Sequence, residues 1–128
     1  MKLILQNSSL EFRTAYTNLF SATGDGFVAD SFLDDHGGTI SNSSYLITNY
    51  IEFTNGQLFY TAIQGTVLVG GGHVCVYDSQ KQFIESLGQA SQLSWPLSSS
   101  VVQTIQNAKY IRISFIAEPE NLYVYNVV

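Results

Sequence analysis

The chain has 128 residues, enough for one domain that buries roughly two-thirds of its unfolded surface without cross-links. It carries five basic and ten acidic residues, and Lys2, Arg13, Lys81, Lys109 and Arg112 are scattered, which excludes a nucleic-acid surface built on clustered cations. A lone cysteine excludes an internal disulfide, and no apolar run approaches the ~20 residues of a membrane helix.

Met1 to Leu5 opens like a signal peptide, but polar Gln6-Asn7-Ser8-Ser9 ends the apolar stretch at once. The expectation is an N-terminal arm over 1–9, not a secretion signal. Residues 10–16 alternate apolar and polar side chains and read as an early strand. Residues 21–44 are rich in Gly and polar groups. They read as a long excursion pinned by Phe27, Val28, Phe32, Leu33 and Ile40.

A strand over 45–54 should turn at Asn55-Gly56 and pair with one over 57–64, because Asn-Gly suits a type I′ turn with positive φ at both positions. Short strands follow at 66–69, 73–77 and 82–87, with reversals at Gly70-Gly71-Gly72 and Asp78-Ser79-Gln80. One short helical turn fits within 98–106. The stretch 109–117, KYIRISFIA, is a strong strand with Ile111, Ile113 and Phe115 on one face. Residues 122–128 form the last strand. This tail is apolar on both faces, a hazard at a sheet edge unless something covers it. Pro96 and Pro119 fall where turns are placed. The predicted fold is all-β, an antiparallel β-sandwich of jelly-roll or Greek-key type spanning 1–128, with an up-and-down barrel as the alternative.

Candidate chemistry is sparse. His73 and Cys75 share one face of a strand, with Cα atoms roughly 6.6 Å apart, which does not set up a nucleophile–base bond. Cys75, flanked by valines, is expected reduced and buried. Asp25, Asp30, Asp34, Asp35, Glu118 and Glu120 could serve a glycosidase, but nothing in their spacing brings two of them to a cleft. Asp25, Asp34 and Asp35 are weak candidates for calcium, a hard cation that takes clustered oxygens. No catalytic residue, other cofactor or other metal is assigned, and no enzymatic activity is expected. Sugar binding would rest on flat aromatic faces. Trp95, in Ser94-Trp95-Pro96, is the first choice, followed by Tyr50 and Tyr123.

Three segments, GFVADSFLDDHGGTISNSSYLITNYIEFTNGQ, VCVYDSQKQFIESL and NAKYIRISF, occur in that order across most of the chain. Together they resemble the carbohydrate-binding-module-like β-sandwich domains of phage virion surface proteins, including tail fibres, baseplates, head fibres and capsid decoration proteins. The chain departs from that pattern at Ile105-Gln106-Asn107, where a proline usually precedes the last of the three segments. The resemblance implies a non-enzymatic protein of the phage particle surface, adhering to host or mucosal glycans. Its partners would be its own copies, as a homo-oligomer, and other virion proteins. The alternative is a structural decoration or fibre protein that binds only virion proteins.

Overall fold

A computed structural model of the chain describes residues 16–128. The expected arm and the start of the expected first strand lie outside the described residues. Nine strands are present among those described: β1 (Val28–Leu33), β2 (Thr39–Ile47), β3 (Ile51–Glu52), β4 (Gln57–Ala62), β5 (His73–Tyr77), β6 (Phe83–Gln89), β7 (Leu97–Ser98), β8 (Tyr110–Ile116) and β9 (Leu122–Val127). A single helical turn, α1 (Ser100–Gln103), precedes β8, as the sequence predicts. The strands form two antiparallel sheets, β1-β2-β8-β5-β6 with β3 also on β8, and β7-β4-β9. The chain is therefore all-β, and its two separate sheets replace the closed barrel kept as the alternative.

The sheets pack through one apolar core. Ile111, Ile113 and Phe115 of β8 join Leu46, Val74 and Val76 from the large sheet and Leu58, Leu97, Leu122 and Val124 from the small one. This is the face that alternation in KYIRISFIA predicts. The middle of the other face of β8 does not reach solvent either. Arg112 is 7% and Ser114 0% exposed. A second cluster of Leu33, Ile47, Cys75 and Tyr77 lies there, with Val28, Tyr50 and Tyr110 packed against it. β1 seals it in part, since the Leu33 amide donates to Ser114 Oγ at 2.9 Å.

Three expectations need correction. The strands either side of Asn55-Gly56 do not pair. The first runs along β8 as β2 and β3, interrupted where Thr48 Oγ1 accepts the Ile113 amide at 2.9 Å. The second, β4, pairs with β9 and β7 in the other sheet. Gly56 has φ +82, but Asn55 is not among the residues at positive φ, so the type I′ turn does not form and the chain crosses between sheets. Phe59 instead stacks on Tyr125, its direct cross-strand partner, with centroids 5.2 Å apart and planes 10° apart.

The Gly-rich excursion is mostly a hairpin, β1 to β2, closed by a turn over 34–38, with Leu33 fully buried but Ile40 44% exposed. The segment 66–69 makes only an isolated bridge, Leu68 to Ile116. The apolar tail is met by the chain itself at Val124, while Val128 is 85% exposed. On the side of β9 away from β4, the Leu19 amide donates to the Val124 carbonyl at 2.7 Å, and Asn18 accepts the Val124 amide at 2.9 Å.

Glycines 56 and 71 should separate under substitution. A Cβ at Gly56 would collide with the Val127 carbonyl and would sit on left-handed backbone, whereas one at Gly71 meets nothing within 4 Å. In urea melts, Gly56→Ala should cost about 1–3 kcal/mol and Gly71→Ala less than about 0.5 kcal/mol.

Candidate binding cleft

The three aromatics proposed for sugar binding fall in three different layers. Trp95 is half-buried in the core between the sheets. Its indole N–H donates to the Ala90 carbonyl at 2.9 Å, and its ring meets Tyr60 edge-on at 5.2 Å and Phe115 at 6.0 Å. Tyr123 is 5% exposed on the outer face of the small sheet, where its hydroxyl donates to the Tyr16 carbonyl. Tyr50 lies on the opposite side of the molecule, half-buried over the second cluster. No single surface holds all three, so they stand as separate alternatives.

The acidic candidates for calcium also separate. Asp25 is ion-paired with Lys81, Nζ to Oδ2 at 2.8 Å, and the hydrogen bond from that ammonium holds its carboxyl below the ordinary range. Asp34 and Asp35 lie in the β1–β2 turn, where among the described residues Asp34, Asp35 and His36 bring one ligand atom each within 4.8 Å of one another. Asp34 Oδ1 already accepts the His36 and Gly38 amides at 2.8 Å, which lowers its pKa and closes the turn. This geometry is that of a side-chain-capped turn. His73 and Cys75 bond in different directions, His73 Nδ1 to Ser86 Oγ at 2.7 Å and Cys75 Sγ to the Asp34 carbonyl.

One end of the large sheet carries what the sequence reading missed. The β5–β6 turn is closed by Asp78, whose Oδ1 accepts the Gln80 and Gln82 amides at 2.9 Å each. Across from it, the chain enters β8 through Asn107, at φ +68, and Lys109, whose amide donates to the Tyr77 carbonyl at 2.9 Å. The end of β3 supplies the third wall, because Glu52 stands opposite Tyr110 in register. Between these walls lies an open cleft of about 530 Å³ lined by Glu52, Thr54, Asp78, Gln80, Asn107 and Lys109, among others. Carboxylates accept hydrogen bonds, an ammonium donates them, and amides do both, so this lining matches a ligand dense in hydroxyls.

Beside the cleft lies a cation–aromatic cluster. Tyr50 stands edge-on to Tyr77 at 5.0 Å and to Tyr110 at 6.2 Å. Lys81 Nζ is 5.4 Å from the Tyr50 centroid and 5.8 Å from that of Tyr110, and Lys109 Nζ is 5.6 Å from Tyr110. Lys81 sits at φ +63, a position that a turn usually fills with Gly or Asn. The absence of glycine from Asp78-Ser79-Gln80-Lys81 was a legible signal for this lysine.

Arg112 lies beneath. Its guanidinium is 5.1 Å from the Tyr50 centroid and 5.6 Å from that of Tyr77. It donates to Tyr77 Oη at 3.2 Å, to the Thr48 carbonyl at 3.4 Å and to the Gly26 carbonyl. Burial pushes the Tyr77 phenol up, and the Arg112 guanidinium opposes this. No family model, curated protein or solved structure matches this chain.

Two outcomes follow from this geometry. Burial raises the Cys75 thiol from its ordinary 9.0 to about 12. Native protein should therefore resist thiol reagents at pH 8 and react once denatured. The raised pKa leaves stability intact below pH 9 and erodes it as pH climbs toward 12, since only the unfolded thiol ionises in that window. Cys75→Ala should flatten that part of the alkaline stability profile. Arg112→Lys removes the planar fork and its stacking, and should cost about 1.5–3 kcal/mol in urea melts. It should also speed exchange of the Tyr50 amide, which donates to the Asp25 carbonyl at 2.9 Å.

Proposed function

We propose that this chain is a non-enzymatic saccharide-binding module of a phage-type virion surface, and that the cleft between β3, the β5–β6 turn and the start of β8 is its site. The carrying observation is the convergence of Glu52, Asp78, Gln80, Asn107 and Lys109 on one open cavity. Such a set can satisfy hydroxyls in several directions. The all-β sandwich agrees with the resemblance to carbohydrate-binding-module-like virion domains. The openness of the site implies weak binding by one copy, on the order of millimolar, which an array of copies on a particle would strengthen.

A second reading is favoured by the connection between β4 and β5. Ile63 is 39% and Leu68 53% exposed there, and both are apolar. A decoration protein that docks on its own copies or on other virion proteins would use such side chains.

A glycan array probed with a multivalent form of the protein decides between them. Wild type should bind saccharides. Asn107→Gly removes the amide while keeping the positive φ, and Glu52→Gln removes one charge. Each should lower binding about tenfold, equal to ~1.4 kcal/mol, with the melt unchanged. A wild type that binds no saccharide removes the adhesion reading and leaves the decoration reading.

A further inference from the structure

We propose that Asn55 is a site of self-modification: in the folded chain its side-chain amide is lost to attack by the Gly56 backbone nitrogen, leaving aspartate or isoaspartate where β3 crosses to β4. Asn55 is the only asparagine of the chain that precedes glycine. Without a Cβ, Gly56 leaves the approach to its nitrogen open. The structure adds two conditions that the sequence does not show. Asn55 is exposed, and among the described residues its side chain makes no hydrogen bond, whereas Asn18 and Asn49 use both ends of their amides on backbone partners. The Gly56 N–H also donates to no acceptor among the described residues, so no hydrogen bond protects the proton that must leave.

The only co-reactant is water. The deprotonated Gly56 nitrogen attacks Asn55 Cγ, and the new C–N bond closes a succinimide ring. The bond from Cγ to Nδ2 breaks, and ammonia leaves with the proton that Gly56 gave up. Water then opens the ring. Cleavage at Cγ leaves aspartate on an unchanged main chain. Cleavage at the original main-chain carbonyl leaves isoaspartate, with an extra carbon in the path from residue 55 to Gly56. Either product adds a negative charge beside Thr54, which lines the cleft. The structure distinguishes the two. The Thr54 carbonyl accepts Gln103 Nε2 at 3.2 Å, the Asn55 carbonyl accepts Asn126 Nδ2 at 2.9 Å, and the Gly56 carbonyl accepts the Ser99 amide at 2.9 Å. Aspartate keeps all three bonds. Isoaspartate inserts its carbon between the first and the last and turns the middle carbonyl into a pendant carboxylate. It also displaces Gly56, where the Val127 carbonyl leaves no room even for a Cβ.

The test incubates the full chain at pH 8 and 37 °C, native and in guanidinium chloride, and maps its peptides by mass spectrometry. The peptide holding residues 55 and 56 should gain the mass that separates a carboxyl from an amide, as two species resolved by chromatography. Its native rate should lie within about tenfold of the denatured rate, because nothing in the fold shields the reacting groups. Asn55→Gln should remove the gain from this peptide. The isoaspartate form, once separated, should melt below the unreacted chain, and Asn55→Asp should melt with it. A native rate more than about tenfold below the denatured rate overturns the site, since the three anchored carbonyls then prevent ring closure. A gain that persists in Asn55→Gln overturns it as well. Equal melts for the isoaspartate and unreacted forms overturn the distinction between products alone.

Discussion

Arg112 places a permanent positive charge in the middle of a strand whose two faces are both covered, and much of the surrounding structure follows from how that charge is accommodated. It is 7% exposed, and the ion pairs of the described residues, His36–Asp35, Lys81–Asp25 and Lys109–Glu52, do not include it. An unpaired buried charge is costly, so its donors must find acceptors and its plane must find polarisable faces. The carbonyls of Gly26 and Thr48 and the Tyr77 hydroxyl supply the acceptors, and Tyr50 and Tyr77 supply the faces. Only glycine fits at position 26. Its φ is +94, and a Cβ would meet the Tyr50 ring at 2.6 Å.

This arrangement propagates outward. Fixing Gly26 fixes Asp25, its chain neighbour, and Asp25 in turn holds Lys81 at the mouth of the cluster. Lys81 is carried by the turn that walls the cleft, so the buried charge and the exposed surface are linked through two hydrogen bonds and one short loop. The same strand supplies the other side of the site. β8 presents Ile111, Ile113 and Phe115 to the main core, buries Arg112 and Ser114 on its other face, and begins with the partly exposed Tyr110, packed against the second cluster. A central strand packed on both faces is a rigid base for such groups, whereas loops alone would leave them loosely oriented.

The local alternation of apolar and polar residues was enough to place β5, β6, β8 and β9 close to their observed bounds, and the valines around Cys75 were enough to predict its burial. Asp78-Ser79-Gln80 was legible as a reversal because an Asp side chain caps such a turn through its own backbone neighbours. These features depend on contacts within a few residues. The aromatics were less legible. Partial exposure of Trp95 was legible from its turn-like context beside a proline, but its packing partners Tyr60 and Phe115 lie far from it in the chain.

By itself, then, the sequence determined the all-β class, most strand positions, one face of the core and the thiol's burial, because side-chain period and turn chemistry are local quantities. The tertiary structure alone decided which strands are neighbours. Asn55-Gly56 is compatible with a tight hairpin, but the stacking of Phe59 on Tyr125 and the pairing of β3 with β8 draw the flanking strands into different sheets. It also decided that the polar face of β8 is covered, since that depends on β1 and the Gly24–Phe27 turn folding back over Ser114 and Arg112. The cleft belongs to the same category. Glu52, Asp78, Asn107 and Lys109 come from three separate stretches of chain, and only strand register brings them to one cavity.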